Sequence, residues 1–313
     1  MKFDPDEQIS IQKVCADELV KMAGKYKNFV VLEANLGAIA GLQNFAKQFP
    51  DRHFRFGNSV RAMVASASGF VSRGKIPLLF ANAIPMTGRA WDSIRNFICS
   101  QNLNVKIFGL HAGILNAEEG VLNQALEDVA IMRAMPNMKV VAPADAMETR
   151  QALDVMMLDY GPAYMRLLHL PLPKLYTEKH KFVFGKGDIY KSGTDLCIFS
   201  YGTTMHTALD AADILERKKI STMVVNMSSL SPVDAGLIVE CAKAVDKIVT
   251  VEDHQTEGGL GTAVCEVLAS EYPAKVLRLG MHGYGESGKV DDLYRKFGLD
   301  GMGISEKILE WIK

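Results

Sequence analysis

Apolar and polar positions along this chain follow two rhythms. Short, nearly unbroken apolar runs alternate with stretches whose apolar residues recur at helical spacing. Phe29–Leu32 (FVVL), Phe54–Phe56, Ile76–Ala83 (IPLLFANA), Val105–Leu110, Lys139–Ala142 and Ala163–Leu167 (AYMRL) are runs of the first kind and predict strands. Helices are predicted over residues 8–25, near Leu42–Phe49, over Val60–Ser72, Thr87–Ser100 and 123–134, and over Asp145–Leu158. Thr87 and Asp145 are the expected N-caps of their helices. This alternation predicts a doubly wound parallel sheet.

Pro171, Pro173 and the polar run Tyr176–Lys181 interrupt the rhythm. It then restarts, with strands expected over Asp195–Ser200, Thr222–Asn226, Ile248–Glu252 and Val276–Leu279. Helices are expected over His206–Lys218, Asp234–Val245 and Gly259–Glu271, with more at the C-terminus. The fold class is therefore α/β, with two doubly wound α/β domains. The first covers residues 1–175, a linker 176–190, and a smaller second domain 191–313.

Composition narrows the picture only a little. The balance of 48% hydrophobic and 23% charged residues is that of a globular protein. A net charge of −1 favours neither nucleic acid nor an anionic membrane as partner. No apolar run is long enough to span a bilayer, and MKFDPDEQIS lacks the core of a signal peptide. Cys15, Cys99, Cys197, Cys241 and Cys265 are widely spaced with no CxxC pair. They read as buried thiols in a reducing compartment, with the cytoplasm as the default. The 16 methionines are scattered, which suits core filling better than a binding stripe.

Several stretches occur in a telling order: Pro77 to Trp91 ending in TGRAW, NVKIFGLHAG, QALEDVAIMRAMPNMKVVAPAD, GPAYMRL, VTVEDHQTEGGLG and YGESGK. Together they resemble the C-terminal section of the transketolase family over nearly the whole chain. That resemblance implies a pyrimidine-binding domain followed by a transketolase C-terminal domain, carried as a separate subunit. It implies thiamine diphosphate as cofactor, with the diphosphate and Mg2+ held by a partner chain, because no GDG-type stretch with a downstream Asn is present. It also implies a dimer or heterotetramer.

In this family a glutamate exchanges a proton with N1' of the cofactor's pyrimidine, and the cofactor does the difficult chemistry. The family's turn resembles Gly-Ile-Ala-Glu-Gln-Asn-Met. Here it is Gly57-Asn58-Ser59-Val60-Arg61-Ala62-Met63, so Val60 stands where the acid should be. Aromatic rings of the family are replaced by Asn82 and Pro85, and an aspartate of the first strand loop by Asn35. Asn35, Val60, Asn82 and Pro85 are thus the positions facing the cofactor. The resemblance assigns substrate contacts to His111, Glu119, Asn123 and His169. His111 matches a phosphate-contacting histidine, Asn123 replaces another histidine, and His169 replaces an arginine.

Each position also has a plainer reading. Val60 fills an apolar gap at a helix start, Arg61 faces solvent, and His111 is a loop histidine. Asn123 caps a helix, His169 is structural, and Glu118-Glu119 form a solvated turn. Arg89 and Trp91 read as scaffold and interface residues. Gly258–Gly261 does not have the spacing of a phosphate loop.

Three functions follow from the resemblance. The first is the C-terminal subunit of a split transketolase-like enzyme, transferring a two-carbon ketol unit between sugar phosphates. The second is a catalytically lapsed subunit acting by protein–protein assembly. The third is a thiamine-dependent carboligase with altered substrate, since glyoxylate carboligase also has a valine at the acid position.

Overall fold

The computed structural model describes residues 8–34, 41–168 and 171–313. Contacts divide the chain into two compact units. Unit 1 comprises Met1–Ala112 and Ile131–Val183, and unit 2 comprises Gly113–Ala130 and Phe184–Lys313.

Unit 1 opens with strand β1 (Gln8–Ser10) and helix α1 (Ile11–Lys25). The helix expected from residue 8 starts three residues late. Its predicted first turn instead pairs antiparallel with the short strand β8 (Pro171–Pro173), and the Ser10 hydroxyl accepts from the Lys13 amide as a cap. A distant partner thus overrides local helical spacing. β2 (Phe29–Glu33), α2 (Leu42–Gln48), β3 (His53–Arg55), α3 (Val60–Ser72) and β4 (Ile76–Asn82) follow.

After β4 the chain was expected to form one helix capped by Thr87. It forms two π-helical stretches, Pro85–Arg89 and Ile94–Cys99, around the short α4 (Trp91–Ser93). Thr87 lies inside the first stretch and its hydroxyl donates to the Ala83 carbonyl at 2.9 Å, so it is not a cap. The turn starts two residues earlier because Pro85 occupies its first position, where a missing N–H costs no hydrogen bond.

β5 (Lys106–Leu110), α5 (Asp128–Arg133), β6 (Lys139–Val141), α6 (Ala146–Leu158) and β7 (Ala163–Leu167) complete the run. The strands are parallel in the order β6-β7-β5-β4-β2-β3. All residues of β2, β5 and β7 are buried, as strands covered on both faces require. Phe29 stacks on Phe45 of α2 on one face, while Phe54 meets Phe70 of α3 on the other. Phe80 and Phe108 stack in parallel at 4.3 Å across β4 and β5.

Two polar devices fix the periphery of unit 1. The fully buried Lys106 donates from Nζ to the carbonyls of Asp159 and Gly161 at 2.8 and 2.7 Å, tying the end of α6 to the amino-terminal edge of the sheet. Burial pushes its ammonium down to about 7. Asp145 caps α6 through the Glu148 amide, and its other oxygen accepts from the amides of Leu175 and Tyr176.

Unit 2 carries β9 (Asp188–Lys191), β10 (Leu196–Ser200), α7 (Thr204–Arg217), β11 (Thr222–Asn226), β12 (Ser229–Ser231) and α8 (Ala235–Ala244). It continues with β13 (Ile248–Gln255), α9 (Leu260–Glu271), β14 (Val276–Met281), α10 (Val290–Phe297) and α11 (Gly301–Trp311). Its sheet runs β14-β13-β10-β11-β9, parallel except for the antiparallel edge strand β9. The fully buried Glu252 accepts from the amides of Leu260 and Gly261, both at 2.8 Å, and so anchors the start of α9. A Cβ at Gly259 would sit 2.0 Å from the Glu252 carboxylate, so glycine is required there. The glycine-rich turn therefore wraps an internal acid.

The segment Gly113–Ala130 lies within the stretch that the sequence suggests as one 1–175 domain, yet its contacts are with unit 2. Gln255 N donates to Leu126 O, and Ala130 N to His254 Nε2. Gln124 Nε2 donates to Glu286 O, and Gly288 N to Ala117 O. These bonds also explain why the helix expected over 123–134 begins only at Asp128. Residues before it spend backbone groups on the ends of β13 and on the 284–288 stretch. Cys15, Cys99, Cys197 and Cys241 are buried as expected, whereas Cys265 is half-buried.

Candidate functional site

Parallel sheets present ligand-binding groups at the carboxyl ends of their strands. In unit 1 those ends hold Glu33, Arg55, Asn82 and Leu110, followed by the turns that carry the candidate residues.

The turn after β3 begins with Phe56 N donating to Glu33 O at 2.9 Å. Gly57 has a φ of 54°, which a glycine adopts without strain. Val60 is then the first residue of α3 and only 3% exposed. Its isopropyl group fills a buried position and offers no proton. Ser59 caps the helix without a side-chain hydrogen bond, and Arg61 is exposed. The carboxylate nearest in sequence to the end of β2 is Glu33, which is buried. It pairs with Arg55 at 2.7 Å and lies 3.4 Å from His53 Nε2. The apolar run expected at Phe29–Leu32 stops one residue short of it. An acid ending an otherwise apolar strand is the signal that could have marked it.

Asn82 ends β4. Its side-chain oxygen is buried and has no hydrogen-bond partner. Pro85 is buried three residues on, at the start of the π-turn. Arg89 and Trp91 are exposed beyond it.

His111 immediately follows β5 with a φ of 58°, in the left-handed region. For a residue with a Cβ this costs on the order of 1–2 kcal/mol, and such strain concentrates at ligand sites. Its imidazole is half-buried.

Glu119 and Asn123 lie in unit 2. Glu119 is exposed at the end of a 3-10 turn, Ala117–Glu119. The buried Asn116, which the sequence did not single out, donates to the Glu119 carboxylate at 3.2 Å and to Asn123 O at 3.1 Å. Asn123 sits in a turn, with its amide donating to Gly120 O, and caps no helix. Asn35 and His169 lie outside the described residues. Among the described residues no group of His, Cys, Asp or Glu side chains could hold a metal ion, and no helix is long and apolar enough to cross a membrane.

The donor and acceptor set at these strand ends fits an aminopyrimidine in part. Such a ring carries an exocyclic amino donor, and the Asn82 oxygen is a buried acceptor that lacks one. Val60 and Pro85 are buried and offer no polar side-chain group. No acid stands at Val60 for the ring nitrogen.

Two α/β units with mainly parallel sheets, the first with several candidate groups at its strand ends, define a two-domain α/β protein. Residues 7–173 match the family model of the transketolase pyrimidine binding domain, and residues 185–304 match that of the transketolase C-terminal domain. The chain belongs to the transketolase family. It is 40% identical over 309 residues to a Methanocaldococcus jannaschii protein provisionally named a transketolase C-terminal section, covering 97% of this chain and 96% of that one. It is 31% identical over 311 residues to a subunit of the apulose-4-phosphate transketolase of Phocaeicola vulgatus, covering 98% and 99%. A solved structure described as a split gene transketolase, inactive beta4 tetramer, superposes with a TM-score of 0.90. The two are 37% identical over 96% of this chain and 98% of the other. Thiamine diphosphate dependence is a property of the family.

Proposed function

We propose that this chain is the C-terminal subunit of a split transketolase-like enzyme that moves a two-carbon ketol unit between sugar phosphates. A partner subunit in the cytoplasm supplies the diphosphate and Mg2+ site, and the two assemble as a heterotetramer. Near full-length similarity to relatives named as separate sections or subunits supports the assembly. The observation that carries the reading is His111, held with φ at 58° directly after β5. Asn102, Asn137 and Lys219 adopt the same region within turns, but His111 does so at the carboxyl end of a central strand, where such strain clusters at ligand sites. In this reading Asn35, Val60, Asn82 and Pro85 line the pyrimidine, while His111 and His169 face the sugar phosphate. Thiamine diphosphate, when bound, supplies the nucleophilic carbon. This chain holds and orients the ring.

A second reading rests on Val60. A buried isopropyl group at the acid position favours a catalytically lapsed subunit that acts by assembly. The deciding experiment combines the purified chain with its diphosphate-domain subunit. Thiamine diphosphate binding is measured by calorimetry and ketol transfer by product formation. Binding with transfer supports the enzyme. Binding without transfer supports the lapsed subunit, and no binding removes the thiamine enzyme altogether.

A further inference from the structure

We infer that Asn82 anchors the aminopyrimidine of thiamine diphosphate, its side-chain oxygen accepting a hydrogen bond from the ring's exocyclic amino group. This rests on the subunit reading above and names the bond by which that site holds its ring.

The Asn82 side chain carries an unmet acceptor. A buried side-chain oxygen without a donor is costly; among the described residues the amide oxygens of Asn82, Asn104 and Gln124 are such atoms, and of these Asn82 alone ends a strand at the carboxyl edge of the sheet. Its described neighbours along β4 and β5 do not supply the donor. Ala81 and Ala83 flank it, its ladder partner on β5 is Leu110, and the stacked Phe80–Phe108 pair lies one pleat below. Pro85, further along, has no N–H. The orphan also sits where a ligand would reach it, at the carboxyl end of β4. An apolar side chain would serve the free chain better there, because it leaves nothing unpaired. An amide is useful only once a donor arrives. Exchanging a ring for an amide therefore replaces stacking with a directional bond. The side chain has no acidic proton to relay, so its role is to bind and orient.

The test uses the chain assembled with its diphosphate-domain subunit, titrated with thiamine diphosphate in Mg2+ by calorimetry. Asn82→Leu should weaken binding about tenfold, the value of one hydrogen bond. Asn82→Asp, which still accepts, should stay within about threefold of wild type. Without cofactor, the Asn82→Leu chain should melt at or above the wild-type temperature, because an unpaired acceptor has been removed. Wild-type affinity in Asn82→Leu overturns the inference while leaving the subunit reading intact. A lower melting temperature for cofactor-free Asn82→Leu also overturns it, because the side chain would then be structural. Failure of the wild-type assembly to bind overturns the subunit reading and the inference with it.

Discussion

The carboxyl edge of the unit 1 sheet and the 113–130 segment of unit 2 both carry candidate ligand residues, but they are held in opposite ways. The segment is fastened by four bonds, through its main-chain Ala117 O, Leu126 O and Ala130 N and through the Gln124 side chain. Two of these bonds, Gln255 N to Leu126 O and Gly288 N to Ala117 O, are main chain to main chain and survive most side-chain changes, while the other two need Gln124 and His254. The unit 1 edge depends on the side chains themselves. Val60 offers no polar group, and Asn82 holds an oxygen that nothing meets. A scaffold can therefore persist beside positions whose chemistry has been exchanged.

Four changes would break or sharpen that contrast. The largest effect is expected from Gly259→Ala, whose Cβ would meet the Glu252 carboxylate at 2.0 Å and His254 Nδ1 at 2.8 Å. A loss of about 3 kcal/mol or more is expected in denaturant unfolding, and near-neutral behaviour would refute the account of this anchor. Glu252→Gln comes next. It turns an amide NH2 toward one of the two backbone N–H groups it now accepts, at a cost of about 2–3 kcal/mol by the same measurement.

Third is the pH dependence set by Lys106. Its folded value, about 7, lies below the ordinary 10.5, so between these limits the unfolded chain binds more protons. Stability should rise with pH across that window, by up to about 1.4 kcal/mol per pH unit, and level off below about 7. Unfolding free energies at several pH values should show this rise in wild type and lack it in Lys106→Met. The smallest effect is expected from Val60→Glu. A carboxyl group in a buried position is costly, but the start of α3 favours negative charge, leaving a net loss of about 1 kcal/mol. Thermal melts check this. A gain in ketol transfer by the assembled variant would mark position 60 as the place of the missing acid, and no gain would point to the surrounding substitutions.

Much of this fold was legible in the sequence because buried parallel strands are written as apolar runs. Val60–Ser72 and Ala163–Leu167 occupy the spans their periodicity predicts. Two of the departures share one cause, which is a partner far away along the chain. Residues 8–10 read as helix until Pro171–Pro173 pairs with them, and residues 123–127 read as helix until unit 2 takes their backbone groups. The π-turns around Trp91 had a local signal in Pro85, which pattern spacing alone does not weigh. Of the candidate site, sequence could name Val60 and Asn82 only by contrast with the family. The orphaned oxygen of Asn82 and the backbone strain at His111 exist only in three dimensions.

The hydrogen bond from Gln124 to Glu286 joins residues 162 positions apart. During synthesis the segment around Gln124 leaves the ribosome long before the residues that fasten it. Unit 1 then has most of its strands while a loop in its middle still waits for the far end of the chain. Contacts so distant in sequence form late and slowly. Loss of the last stretch of this protein would therefore be felt first at Ala117–Ala130, in the first half of the chain, far from the truncation itself.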